Sequence, residues 1–118
     1  GRTKMQKFVF LIQQNLERNQ YSFIPYDYGP FAKTLAADLD EMEERGFIRE
    51  TENEEYGYEF EITEKRKKEL EQISEGEDTE RIRDEANHVV QEWNEQPLSQ
   101  LLNHVYSKYP EYAENSVL

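Results

Sequence analysis

Between Lys4 and Arg18 the apolar residues Met5, Phe8, Val9, Ile12 and Leu16 recur at helical spacing, with Gln13, Gln14 and Glu17 on the other side. This spacing predicts a first helix with one buried face, ended by Asn19-Gln20. Tyr21 to Ile24 reads as a short strand or extended segment, because Pro25 biases Ile24 away from helical dihedrals. The chain then turns at Tyr28-Gly29-Pro30. Pro30 suits the first position of a second helix, where a missing N–H costs nothing. Phe31, Leu35, Leu39 and Met42 form that helix's apolar stripe, widened by Ala32 and Ala36. Arg45 supplies a cation in its last turn and Gly46 a stop.

Two strands follow, Phe47 to Thr51 and Tyr58 to Ile62, around the polar turn Glu52 to Gly57. In the second, Tyr58, Phe60 and Ile62 alternate with Glu59 and Glu61, so one face is buried and the other solvated. Thr63 is placed to cap a third helix running to about Ser74, with Leu70 and Ile73 as core contacts. After a loop at Glu75 to Asp78, a fourth helix follows Thr79 through Ile82, Ala86, Val89, Val90 and Trp93. A fifth starts near Pro97 and carries Leu98, Leu101, Leu102, Val105, Tyr106 and Tyr109. The tail from Tyr109 has no periodic signal. The expected fold is mainly α with a small β-hairpin. It divides into a winged helix-turn-helix over residues 1–76 and a C-terminal helical extension over 77–118 that packs on the same core.

A chain of 118 residues supports one modest core. Eight Tyr and six Phe supply much of the area it can bury, and Phe23, Phe31, Phe47 and Phe60 sit on the faces expected to be buried. The formal charge of −12 opposes attraction to a phosphate backbone unless basic groups gather on one face. Of the 26 acidic residues, 21 are Glu, and adaptation to high salt would explain that surface without reference to a partner. With no Cys, disulfides, thiolate metal sites and Cys nucleophiles drop out. No apolar run approaches bilayer length, and Gly1-Arg2-Thr3-Lys4 leads directly into an amphipathic segment, so a soluble cytoplasmic protein without a membrane partner is expected.

In a winged helix the helix before the wing normally enters the major groove. Here its exposed residues are Lys33, Thr34, Asp38, Asp40, Glu41, Glu43 and Glu44, mostly the wrong sign, and only Lys33 and Thr34 at its start could meet a phosphate. Lys65-Arg66-Lys67-Lys68 is the one dense basic run. It points around most of a helix, with Glu61, Glu64, Glu69 and Glu71 near enough to pair with it. A solvated, self-paired surface is therefore the expected reading, with phosphate contact as the sharper alternative. Tyr21, Tyr26, Tyr28, Tyr56 and Tyr58 cluster around the loop and the wing, where aromatics stack on bases or anchor a protein. His88 and His104 lack metal-ligand spacing, and no nucleophile elbow, phosphate loop or dinucleotide fingerprint is present. No enzyme, cofactor or metal is expected.

Lys4-Met5-Gln6-Lys7-Phe8-Val9-Phe10-Leu11-Ile12, then Tyr26-Asp27-Tyr28-Gly29-Pro30-Phe31, then Leu35 to Leu39 and Arg45-Gly46-Phe47-Ile48, resemble the opening of the YwgA-like and SocA-like (Panacea) antitoxin-related proteins. The resemblance covers approximately residues 4 to 73 and departs at Arg66, where a Gly commonly follows Glu-Lys. It implies a winged-helix-like, α-rich domain and, in the antitoxin branch, a protein that binds and neutralises a toxin or hands it to a protease. The expected function is therefore a non-enzymatic regulatory or adaptor domain. Its protein partner is basic by charge complementarity, contacted through Tyr26, Tyr28, Pro30, Lys33, Arg49, Tyr56 and Tyr58. The rival is a DNA-binding transcriptional regulator touching phosphates through Lys33, Arg49, Lys65, Arg66, Lys67 and Lys68, with a homodimer formed by the helices after Thr79.

Overall fold

A computed structural model describes residues 2–53, 57–72 and 76–117. Their order is α1 (Arg2–Asn15), β1 (Ile24–Tyr26), β2 (Gly29–Phe31), α2 (Lys33–Glu44), β3 (Ile48–Asn53), β4 (Gly57–Ile62), α3 (Glu64–Glu71), α4 (Glu77–Trp93) and α5 (Leu98–Lys108), closed by a 3-10 turn at Pro110–Ala113. The molecule is mainly helical with two small antiparallel hairpins, β1 with β2 and β3 with β4.

α1 is the shared wall of two apolar clusters. On one side Phe8, Phe10 and Leu11 pack with Val89 of α4 and with Leu101 and Val105 of α5. On the other, Met5 and Val9 meet Ala32, Leu35 and Leu39 at the start of and along α2. The expectation of one buried face is thus corrected: α1 also buries Gln6, Lys7 and Gln13. Phe10, fully buried, is met edge-on by the rings of Phe23, Tyr109 and Tyr112, so the C-terminal 3-10 turn closes this cluster. Leu101, Leu102 and Val105 of α5 are buried within the chain. Phe23, Phe31, Phe47 and Phe60 are only half-buried, so Phe8 and Phe10 hold the central aromatic positions instead.

α1 ends earlier than the periodicity suggests. Arg18 N–H reaches Gln13 O at 2.9 Å and Glu17 N–H reaches Gln14 O at 3.1 Å, with Glu17 in the left-handed region at φ 55°. α2 stops in the same way and at the expected residue. Gly46 sits at φ +72°, Phe47 N–H donates to Met42 O at 2.9 Å and Gly46 N–H to Glu43 O at 3.0 Å, which satisfies two carbonyls of the last turn. Only the second stop carries a glycine, so only the second is visible as a stop in the sequence.

Thr63 caps α3 as expected, its Oγ1 accepting from Arg66 N–H while donating to Gly46 O at 2.6 Å. Leu70, expected in the core, is instead 37% exposed; Ile73 lies outside the described residues. The helix is held from its basic side, with the Arg66 guanidinium 4.5 Å above the Phe47 ring. At the other end of the molecule Lys4 Nζ donates to Asn94 O at 2.6 Å and Gln96 O at 2.7 Å, so a cation from α1 satisfies free carbonyls at the C-terminus of α4. Among the described residues no helix is long and apolar enough to cross a membrane.

Candidate functional site

The segment from Ile24 to Phe31 is a hairpin, where a strand and a helix start were expected. Pro25 faces Pro30 across it, between the pairs Ile24–Phe31 and Tyr26–Gly29. Two prolines can oppose each other only where neither N–H is needed by the ladder, and this register supplies such a pair. Pro30 therefore does not begin α2. It is buried in β2, and α2 starts at Lys33 after an extended Ala32. Asp27 and Tyr28 make the turn, and Gly29 takes the left-handed conformation at φ +83°.

Because successive residues point to opposite faces, Pro25 and Pro30 share one face while Ile24, Tyr26 and Phe31 share the other. The Tyr26 and Phe31 rings stack with centroids 5.1 Å apart. Ile24 is 54% exposed, Tyr26 50% and Tyr28 42%, a cluster of large apolar side chains on a six-residue ladder. Val117, 63% exposed, lies beside them: its N–H donates to Asp27 O at 2.8 Å.

So short a hairpin is not stable alone. It is held by side chains from elsewhere. Lys7 Nζ donates to Pro30 O at 3.1 Å. Gln6 binds the following residue in both directions, Nε2 to Ala32 O at 3.1 Å and Ala32 N–H to Oε1 at 2.9 Å. Two turns along α1, Gln13 repeats this with Tyr21, at 2.9 Å to its carbonyl and 2.8 Å from its N–H. A Gln amide presents one donor and one acceptor side by side, so on one helix face it substitutes for a neighbouring strand. From the C-terminal side, Asn115 Nδ2 donates to Pro25 O at 3.2 Å. A Cβ on Gly29 would lie 3.1 Å from Leu102 Cδ2 and 3.3 Å from Tyr106 Cε1, so the turn rests directly on α5.

A cavity of about 230 Å³ lies between α1, this hairpin and α2, lined by Arg2, Thr3, Gln6, Lys7, Tyr26, Asp27, Tyr28, Phe31, Ala36 and Leu39. Lys7 is 2% exposed, and Pro30 O is the acceptor its amine reaches. Burial away from water pulls its pKa down to about 8. Arg2 is in a different position. Although burial opposes its charge, Asp40 at 2.6 Å and Glu43 at 3.0 Å hold its pKa above the ordinary value. On the far side of α2, Tyr21 is pushed up to about 12 by burial and by its 2.7 Å hydrogen bond to Asp38.

The sequence-derived site residues divide between these places. Tyr26 and Tyr28 are exposed together on the first hairpin; Pro30 is buried beneath them, and Lys33 is exposed in the first turn of α2. Arg49 lies on β3, paired across the ladder with Glu61 at 3.2 Å. Tyr56 and the side chain of Tyr58 lie outside the described residues. In the basic run Lys67 pairs with Glu64 at 3.3 Å and Arg66 with Glu69 at 3.1 Å, while Lys65 Nζ sits 5.9 Å from the Phe47 ring centre. Lys68 is exposed.

Reading by hydrophobic period passed over Gln6, Lys7 and Gln13, since polar residues on a helix default to the solvated side. Nothing in their spacing marks them, since the extended backbone they bind comes from later in the chain. Among the described residues no three of His, Asp and Glu converge as metal ligands, and the His104 ring lies tilted against Trp93 with centroids 4.7 Å apart. No family model, curated protein or solved structure matches the chain.

Proposed function

We propose that the chain is a non-enzymatic regulatory or adaptor module that docks a protein partner through the outer face of the β1–β2 hairpin. The observation that carries this reading is the joint exposure of Ile24, Tyr26 and Tyr28 on a hairpin pinned from α1, α5 and the C-terminal segment. Tyrosines with a fixed backbone lose little freedom on binding and supply large contact area, the properties of interface anchors. The net charge of −12 selects for a basic partner. The resemblance to antitoxin-related proteins favours the same class of role.

A winged-helix architecture is part of this proposal: α1, α2, the hairpin β3–β4 and α3 follow in the chain order of such a domain, with β3–β4 as the wing. DNA binding is the rival it raises. Against that rival, Arg2, Arg18, Arg45, Arg49, Arg66 and Lys67 each pair with a carboxylate, and Lys4 and Lys7 bind backbone carbonyls. A cation already paired releases few counterions from DNA.

Affinity capture at native salt, comparing the wild-type chain with Tyr26→Ser/Tyr28→Ser, tests the proposal. One protein retained by the wild type and lost with the double variant is expected. Equal capture by both rejects the hairpin as the docking face. Gel-shift titration over a salt series covers the rival, for which steeply salt-dependent DNA binding would be decisive.

A further inference from the structure

We propose that the cavity between α1, the β1–β2 hairpin and α2 binds a small monocarboxylate with one apolar ring, its carboxylate received by the Lys7 ammonium. This site shares Tyr26 and Tyr28 with the outer hairpin face, but its anion contact at Lys7 does not depend on a protein docking there.

Three observations converge. First, Lys7 lines the cavity at 2% exposure and donates to Pro30 O, so an amine with three donors has one acceptor among the described residues. No carboxylate of the described residues lies within ion-pairing distance of it. A buried charge without a counter-ion is unfavourable, and a ligand anion would supply that counter-ion. Second, the other cation at the site is already used, because Arg2 is held by Asp40 and Glu43. One uncompensated charge suits a monoanion better than a phosphate dianion. Asp27 also lines the cavity, but on the exposed turn its field is screened by water, whereas that of buried Lys7 is not. Third, the remaining wall is mostly apolar, with Tyr26, Tyr28, Phe31, Ala36 and Leu39 beside the polar Thr3 and Gln6. A volume of about 230 Å³ falls below the roughly 300–1,000 Å³ of drug-sized pockets, which limits the occupant to a single ring or a short branched chain.

Benzoate is the probe, with benzyl alcohol as the ring without the charge and acetate as the charge without the ring. Each is titrated into the full chain and followed by amide and Lys side-chain nitrogen NMR. Benzoate should give saturable shifts at the Lys7 amine and at the Phe31 and Ala32 amides, binding about tenfold or more tightly than either fragment, as befits a hydrogen bond to a charged group. Lys7→Gln keeps a donor near Pro30 and removes the charge, and should weaken benzoate by a similar factor. Ala36→Leu fills the cavity without touching Lys7 and should abolish the shifts, so the result does not rest on one variant folding. Equal affinity for benzoate and benzyl alcohol, or no saturable shift at these positions, would overturn the proposal.

Discussion

The two hairpins are ordered by different means. β3–β4 is the longer, with six residue pairs from Ile48–Ile62 to Asn53–Gly57, and among the described residues most of its contacts are with itself. Beneath it a gap of about 350 Å³ remains between Met5, Val9, Leu35, Met42, Phe60 and Ile62. β1–β2 has three pairs and is held from outside, by Gln6, Lys7, Asn115 and the seat of Gly29 on α5. A ladder that holds itself can keep its side chains solvated. One held by its neighbours presents whatever those neighbours leave uncovered, and here that is Ile24, Tyr26 and Tyr28. The shorter hairpin is therefore the better candidate for a docking face.

Gly29→Val should separate the two most strongly. It combines the left-handed strain of a branched residue with overpacking against Leu102 and Tyr106, together on the order of 4 kcal/mol. Gly46, at φ +72° with open space where a side chain would begin, shares only the strain, so Gly46→Ala should cost about 1 kcal/mol in urea unfolding.

Next in size is a pH effect specific to the first hairpin. Folding lowers the Lys7 pKa from 10.5 to about 8, so between these values the unfolded chain holds more protons and stability rises with pH. Tyr21 acts in the opposite sense: its pKa is raised from 10.0 to about 12, so stability is lost as pH climbs through that interval. Relative to Lys7→Met, the wild type should gain about 3 kcal/mol across the Lys7 window, read from urea midpoints on either side of it. A difference that does not change with pH would mean that the amine is not desolvated.

Gln6→Ala should cost about 2 kcal/mol, because it leaves the buried Ala32 N–H without its acceptor and leaves Ala32 O only the bond from Ala36 N–H. On the second hairpin the corresponding truncation, Arg49→Ala, breaks an ion pair whose members are 63% and 49% exposed. It should change stability by less than about 0.5 kcal/mol. If the two substitutions cost the same, the contrast between the hairpins fails.

Much of this fold is legible in the sequence because the deciding residues act locally. Gly46 stops α2, Thr63 caps α3, and the alternation at Phe60 and Ile62 marks a strand. What was not legible depends on distant partners. Pro30 reads as a helix start until Pro25 is placed opposite it, and only that register makes both prolines strand residues. Gln13 reads as part of a solvated side, and Gln6 and Lys7 give no sign of burial, because hydrophobic period cannot show that extended backbone lies against them. Tyr26 and Tyr28 were legible as exposed aromatics from the Pro and Gly around them, while the cavity behind them was not, since it needs α1, α2 and the hairpin assembled.

On the proposed function, the β1–β2 hairpin rather than β3–β4 meets the partner. A photo-crosslinking residue placed at Tyr28, compared in native extract with the same residue at the exposed position Glu52, tests it most directly. One basic protein joined from position 28, and none from position 52, is the expected result. Crosslinks from position 52 alone, or none from position 28, would contradict it.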